Sequence, residues 1–265
     1  MDGGKAWEIC FVIARPRSGT TVFKELLASH PLCFTLGEAF NEGNPHALSR
    51  YLVSRAAHEP EVVLPRRSVP CFLDWLGESC AVAAREKPGA RIVVVDLKSD
   101  QAHLIHEEWW HVAAPPRLFS LIKEHGWKVI DLRRRDLLAL VVSSMVATAT
   151  RTYHSFDLAE GTRQTARIRV EPRELLSLIR ATEAGYRLLS GQFKAYSGHL
   201  GLIYEDLFDP SGRFSGATLA RLAAFLGVEN RFDPAPRLEK LLTGDIFSYV
   251  ENADEVKAFL AANPP

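Results

Sequence analysis

No apolar run in this sequence is long enough to cross a bilayer, although 47% of its 265 residues are hydrophobic. Net charge is absent as well. The 32 Lys and Arg offset 32 Asp and Glu, which removes the argument for nucleic acid or an anionic membrane surface as partner. Cysteine is scarce. The four at positions 10, 33, 71 and 80 show no Cys-x-x-Cys spacing and no companion His cluster. They give no sign of a disulfide framework or a zinc site and read as reduced, mostly buried thiols. Residues 1–6 lack the apolar region of a secretion signal, so the expectation is a cytoplasmic protein. Internal repeats and low-complexity tracts are also missing. The length suits one large α/β domain, residues 1–265, well above the size at which a core is hard to build.

The most informative stretch is 9–29. Ile9 to Ala14 is short and nearly all apolar, as in a strand covered on both faces of a parallel sheet. Pro16 cannot continue that strand. Gly19 permits a tight turn and a close approach to a ligand. Thr20 or Thr21 can cap a helix whose apolar stripe is Val22, Phe23, Leu26 and Leu27. Strand, loop and helix start make an anion site. Free N–H groups and the helix dipole favour negative charge, Arg17 adds a permanent cation, and Ser18, Thr20 and Thr21 add hydroxyl donors. The loop lacks the Lys after Gly19 that a nucleoside-triphosphate loop requires. Only Asp96 and Asp131 stand at ends of apolar runs as candidate metal ligands.

Further along, residues 32–36 suit a second strand, with Gly37 and Glu38 in its outgoing loop, on the side where open α/β sheets bind ligands. Helices fit 47–57 and 69–85, with Pro60, Pro65 and Pro70 breaking between them. Residues 91–98 form the clearest central strand, β-branched and continuous, ending in Lys98. Lys98 has two readings: a group reaching the ligand, or a strand-end Lys snorkelling to water. Trp109 and Trp110 read as core or as a sugar-stacking surface. A strand over 127–132 runs into Arg133, Arg134, Arg135 and Asp136, then a helix from Leu137 that carries Ser143. Three arginines at one strand end repel each other, which suggests an anion to neutralise them. Residues 151–171 lose the apolar pattern and read as an acceptor-side loop or a surface loop. A long helix over 172–196 shows a core stripe that includes Tyr186, and a last strand over 200–204 leads into Glu205 and Asp206.

Pro16-Arg17-Ser18-Gly19-Thr20-Thr21 resembles the 5′-phosphosulfate loop of sulfotransferases that use 3′-phosphoadenosine 5′-phosphosulfate (PAPS), nearest to the bacterial carbohydrate and Nod-factor type. Other landmarks of that family follow in order: Gly37-Glu38, a strand ending in Lys98 with Gln101 close behind, and Arg134-Arg135-Asp136 with Ser143 eight residues after Arg135. Tyr204-Glu205-Asp206-Leu207, whose carboxylates would cap a helix or hold the nearby basic loop, and an Asn252 before an acidic-apolar helix complete the series. The Arg-Lys-Gly motif of the steroid and phenol branch is absent, which leaves the adenine pocket unassigned.

The resemblance implies a three-layer α/β domain with a mainly parallel sheet of about five strands flanked by helices. It implies sulfuryl transfer from PAPS to a hydroxyl, with 3′-phosphoadenosine 5′-phosphate (PAP) as product and no metal. Arg17, Ser18, Gly19, Thr20 and Thr21 would hold the 5′-phosphosulfate; Arg135 and Ser143 the 3′-phosphate. Glu38 would be the base, and Arg17 would act electrostatically. Lys98, Gln101 and His154 are candidates for the acceptor, a glycan or other hydroxylated small molecule. A nucleotide-dependent kinase and a non-catalytic nucleotide-binding module are the other readings. Acceptor identity and oligomeric state stay open.

Overall fold

Ile92–Lys98 (β3) is buried at all seven positions although it contains an Asp and a Lys. That conflict is resolved by what surrounds it. The computed structural model describes residues 7–41, 43–106, 114–151, 166–235 and 244–264. In it β3 lies inside a five-stranded, all-parallel sheet with β1 (Glu8–Ala14), β2 (Cys33–Glu38), β4 (Lys128–Arg133) and β5 (His199–Ile203), in the order β2-β3-β1-β4-β5. Apolar β-branched strands of this kind need helices on both faces, and both faces are covered. Alternation along each strand assigns the sides. Phe11, Ile13, Val93, Val95 and Val129 pack against α3 (Pro65–Glu86), α4 (Arg117–Glu124) and the end of α6 (Pro172–Phe193). Cys10, Val12, Ala14, Val94, Ile130 and Leu132 pack against α1 (Thr20–Ser29) and α7 (Gly216–Leu226). A third cluster joins α5 (Leu137–Thr150), α6 and α8 (Ala253–Ala262). A further α-helix, α2 (Leu48–Ala56), follows β2. The α/β class and the flanked parallel sheet agree with the sequence expectation.

β1 is central, and the chain leaves it in one direction towards β2 and returns over it from β3 to β4. The loop at its carboxyl end therefore sits at the switch point where such sheets bind ligands. Two local differences have physical causes. Pro65 begins α3 rather than breaking it, since a missing N–H costs nothing at the first helical position. Pro70 lies inside the same helix on its exposed side, where the carbonyl it leaves unbonded faces water. Among the described residues no helix is long and apolar enough to cross a membrane.

Residues 30–33 show how a connection is locked. The Lys87 ammonium donates to the carbonyls of Ala28, His30 and Cys33, at 2.7, 2.8 and 2.8 Å, just after the negative end of α1. The buried His30 ring accepts the Leu32 N–H at Nδ1, so Nε2 carries the proton and donates to the Glu229 carbonyl at 3.0 Å. Burial lowers the His30 pKa, in keeping with a neutral ring.

Candidate functional site

The loop after β1 owes its shape to two left-handed residues. Gly19 has φ +84° and Arg17 has φ +66°. For a residue with a Cβ this region costs energy, so strain at Arg17 must be held by its surroundings. At Gly19 there is a second reason for glycine: a Cβ would lie 2.1 Å from the Tyr204 ring. The first bond of α1 runs from the Phe23 N–H to the Gly19 carbonyl. The N–H groups of Gly19, Thr20, Thr21 and Val22 therefore have no helical acceptor. Four donors and the positive end of α1 face one spot.

Cations set the direction of two hydroxyls around the loop. The Lys98 ammonium donates to Thr20 Oγ1 at 3.0 Å, and Arg17 Nε donates to Ser143 Oγ at 3.2 Å. Each oxygen is thereby an acceptor, and its own O–H proton is left to donate to something else. Ser18 is fully buried, with its Oγ 3.3 Å from the Tyr186 hydroxyl. That hydroxyl also accepts the Arg134 N–H at 3.2 Å, and burial raises the Tyr186 pKa.

Lys98 is the hub of the other half. Its ammonium contacts both Asp96 oxygens (3.0 and 2.9 Å), Glu38 Oε1 (3.0 Å) and Thr20 Oγ1. Lys24, one helical turn after Thr20, reaches Asp96 Oδ2 at 2.8 Å. Two carboxylates and two ammonium groups balance within a buried patch on the α1 face. A bulge positions Glu38. The β2–β3 register shifts between Thr35 and Glu38, Gly37 takes φ +77°, and Asn44 Nδ2 donates to the Leu36 and Glu38 carbonyls at 2.7 and 2.8 Å. Contrary to the expectation of an outgoing loop, Gly37 and Glu38 thus belong to β2, and Glu38, its last residue, pairs with Asp96 in the ladder and meets Lys98. Of the two readings of Lys98, the snorkelling one fails: the residue is 7% exposed and fully bonded.

The three arginines are placed differently from the expectation that an outside anion must neutralise them. Arg133 pairs with buried Asp131, Arg134 with Glu205 at 3.3 Å, and Arg135 with both Asp206 oxygens at 2.7 and 2.6 Å. Three carboxylates already answer three guanidiniums. Glu205 also accepts the Arg135 N–H at 2.9 Å. Burial pushes its carboxyl up, but the Arg135 and its own backbone N–H groups and Arg134 outweigh burial and hold it below the usual range.

The structure therefore gathers three bonded groups around the loop: Arg17 with Ser143, Ser18 with Tyr186, and Thr20 with Lys98 and Glu38. Arg135 is attached to Asp206 at the exposed margin. The Gln101 side-chain carbonyl accepts the Lys98 backbone N–H at 3.0 Å, a turn-capping role. His154, Trp109 and Trp110 lie outside the described residues, as does most of 151–171. Sequence reasoning missed Asp96 and Lys24 as a unit, and it missed the hydroxyl that Tyr186, a core residue as expected, presents to Ser18. A lone Asp in an otherwise apolar strand is the signal that a buried cation must exist.

No family model and no curated protein matches the chain. Among solved structures it is similar to the "Sulfotransferase Domain from the Curacin Biosynthetic Pathway", at 15% identity over 96% of this chain and 87% of that one, TM-score 0.49. It is also similar to the "Sulfotransferase Domain from the Synechococcus PCC 7002 Olefin Synthase", at 18% identity over 93% and 81%, TM-score 0.45. At such identities and scores, function has to be argued from the site itself.

Proposed function

We propose that this chain is a sulfotransferase that moves a sulfuryl group from PAPS to a hydroxyl of a carbohydrate, glycolipid or other small-molecule acceptor by in-line displacement. The observation that carries this reading is the paired arrangement at the loop. Four N–H groups without a helical acceptor and the Thr20 hydroxyl that Lys98 orients stand at the loop, the acid Glu38 sits on the same lysine, and Arg17 of the loop orients a second hydroxyl, on Ser143.

The residues fit the donor. The loop N–H groups, Arg17, Thr20 and Thr21 would hold the 5′-phosphosulfate, and Ser143 and Arg135 the 3′-phosphate. Arg135 would exchange Asp206 for phosphate, and exposed ion pairs of this kind contribute little net stability. When bound, PAPS supplies an activated sulfuryl group and a phosphate leaving group. Glu38 takes the proton of the acceptor hydroxyl. Arg17 stays protonated and stabilises charge instead of donating a proton. Lys98 fixes Glu38 and Thr20 relative to each other, so base and anion loop share one anchor.

A kinase reading would need a loop lysine and a divalent cation. The oxygens suited to such a cation, on Thr20, Asp96 and Glu38, already converge on the Lys98 ammonium. That favours the metal-free transfer.

The test is Glu38→Gln, assayed for PAP release from PAPS with a panel of saccharides and other alcohols. PAP binding is expected to stay within about twofold while turnover falls by roughly 10²-fold or more, the usual contribution of a general base. Unchanged turnover would remove Glu38 as the base.

A further inference from the structure

Arg15 makes no hydrogen bond and no ion pair with any described residue, and its Nε is shielded from solvent. Its neighbours in sequence and space differ. Arg17, Arg133, Arg134 and Arg135 all have partners. Arg15 follows the last residue of β1 and opens the anion loop, on the ligand side of the sheet.

Strand alternation gives its direction. Phe11 and Ile13 face α6 while Val12 and Ala14 face α1, so Arg15 falls on the α6 face. Ala14 pairs with Leu132, and one more residue in that register sets Arg15 beside Arg133. Arg133 is taken by Asp131 and lies 5.7 Å over the Tyr186 ring. The Arg15 charge is felt at the Tyr186 hydroxyl, which touches Ser18 of the loop. Two guanidiniums thus share this face with one carboxylate, and Arg15 is the one left over. Asp131 Oδ1 has no partner either. Asp131 is paired across the sheet with Ile13, two residues back from Arg15, and its other oxygen holds Arg133.

A guanidinium that has no partner among the described residues, with Nε shielded in a partly exposed residue, is suited to a bidentate anion. The donor's 5′-phosphosulfate is met by the loop amides, Arg17 and the hydroxyls around α1. Arg15 stands behind that loop on the opposite face. We infer that Arg15 binds an anionic group of the acceptor. The acceptor then carries a carboxylate, phosphate or sulfate as well as the hydroxyl that is modified, as an acidic sugar does. The word acceptor rests on the sulfuryl-transfer reading; the anion site does not.

The test uses Arg15→Gln and Arg15→Lys with the full chain. Glucuronate and glucose are each titrated, with and without saturating PAP, and binding is followed by NMR shift changes. Wild type should bind glucuronate about tenfold or more tightly than glucose, the difference of one charge-assisted contact. Arg15→Gln should lose that preference, Arg15→Lys should keep part of it, and PAP affinity should move less than about threefold in both, well under one such contact. Equal binding of the two sugars by wild type overturns the inference. So does a loss of PAP affinity of about tenfold or more in Arg15→Gln, which would assign Arg15 to the nucleotide. A wild type that binds glucuronate through Arg15 but never binds PAP keeps the anion site and removes the sulfuryl-transfer reading.

Discussion

Replacing Lys98 with Met keeps the apolar stem and removes the ammonium. Asp96, fully buried, would then keep only Lys24 at 2.8 Å, while Glu38 would lose its ion partner and Thr20 its orienting donor. Breaking a buried pair from one side leaves an uncompensated charge and costs about 3–5 kcal/mol. For a chain of 265 residues that corresponds to a Tm lower by roughly 10 °C. The assay is chemical denaturation at neutral pH of wild type, Lys98→Met, Asp96→Asn and the double variant. Because the two groups share one interaction, the double variant should cost less than the sum of the singles by about 1–3 kcal/mol. Lys98→Met should also weaken PAP binding, since Thr20 no longer presents a fixed donor. A single-variant cost under about 0.5 kcal/mol, the level of an ordinary surface change, would refute the hub. So would strict additivity.

Two further outcomes concern the fold around the loop. Gly19→Ala forces a left-handed Ala against the Tyr204 ring and should cost about 2–5 kcal/mol, summing the backbone term and overpacking; a thermal melt within about 1 °C of wild type, well under one kcal/mol for a chain this size, would contradict it. Burial lowers the His30 pKa, so its contribution is complete above the unfolded value of about 6.5 and is lost as pH falls towards the folded value. Unfolding free energies across the range from neutral to acid should therefore fall more steeply for wild type than for His30→Gln, and parallel profiles would count against this.

Much of the fold was legible because apolar runs and helix stripes report burial directly. β3 and β1 are continuous apolar runs, and both proved to be inner strands. The anion loop was legible for a related reason: Pro16, Gly19 and the double Thr act on their own backbone, within a few residues. Pairing between distant charges was legible only in part. The family landmark at Glu205 and Asp206 offered carboxylates to hold the basic loop, and they do meet Arg134 and Arg135 about seventy residues away, so a cluster that reads as an unmet positive charge is neutralised. Lys24 and Lys98 meet at Asp96 only because β3 lies against α1. Arg15, which has no partner among the described residues, looks in sequence like any other loop residue. The bulge at Gly37 was equally hidden, since Asn44 clamps it from outside the strand.

The central claim is that the loop and its oriented hydroxyls bind a nucleotide bisphosphate without metal. A thermal-shift titration with PAP, run beside 5′-AMP and beside ATP with Mg²⁺, tests it most directly. At one hundred times its dissociation constant PAP should add about 2.7 kcal/mol, raising the Tm by roughly 5–10 °C. The shift should survive a chelator, be far smaller with 5′-AMP, and shrink in Arg135→Ala. A shift seen only with ATP and Mg²⁺, or none with any nucleotide, would contradict the account.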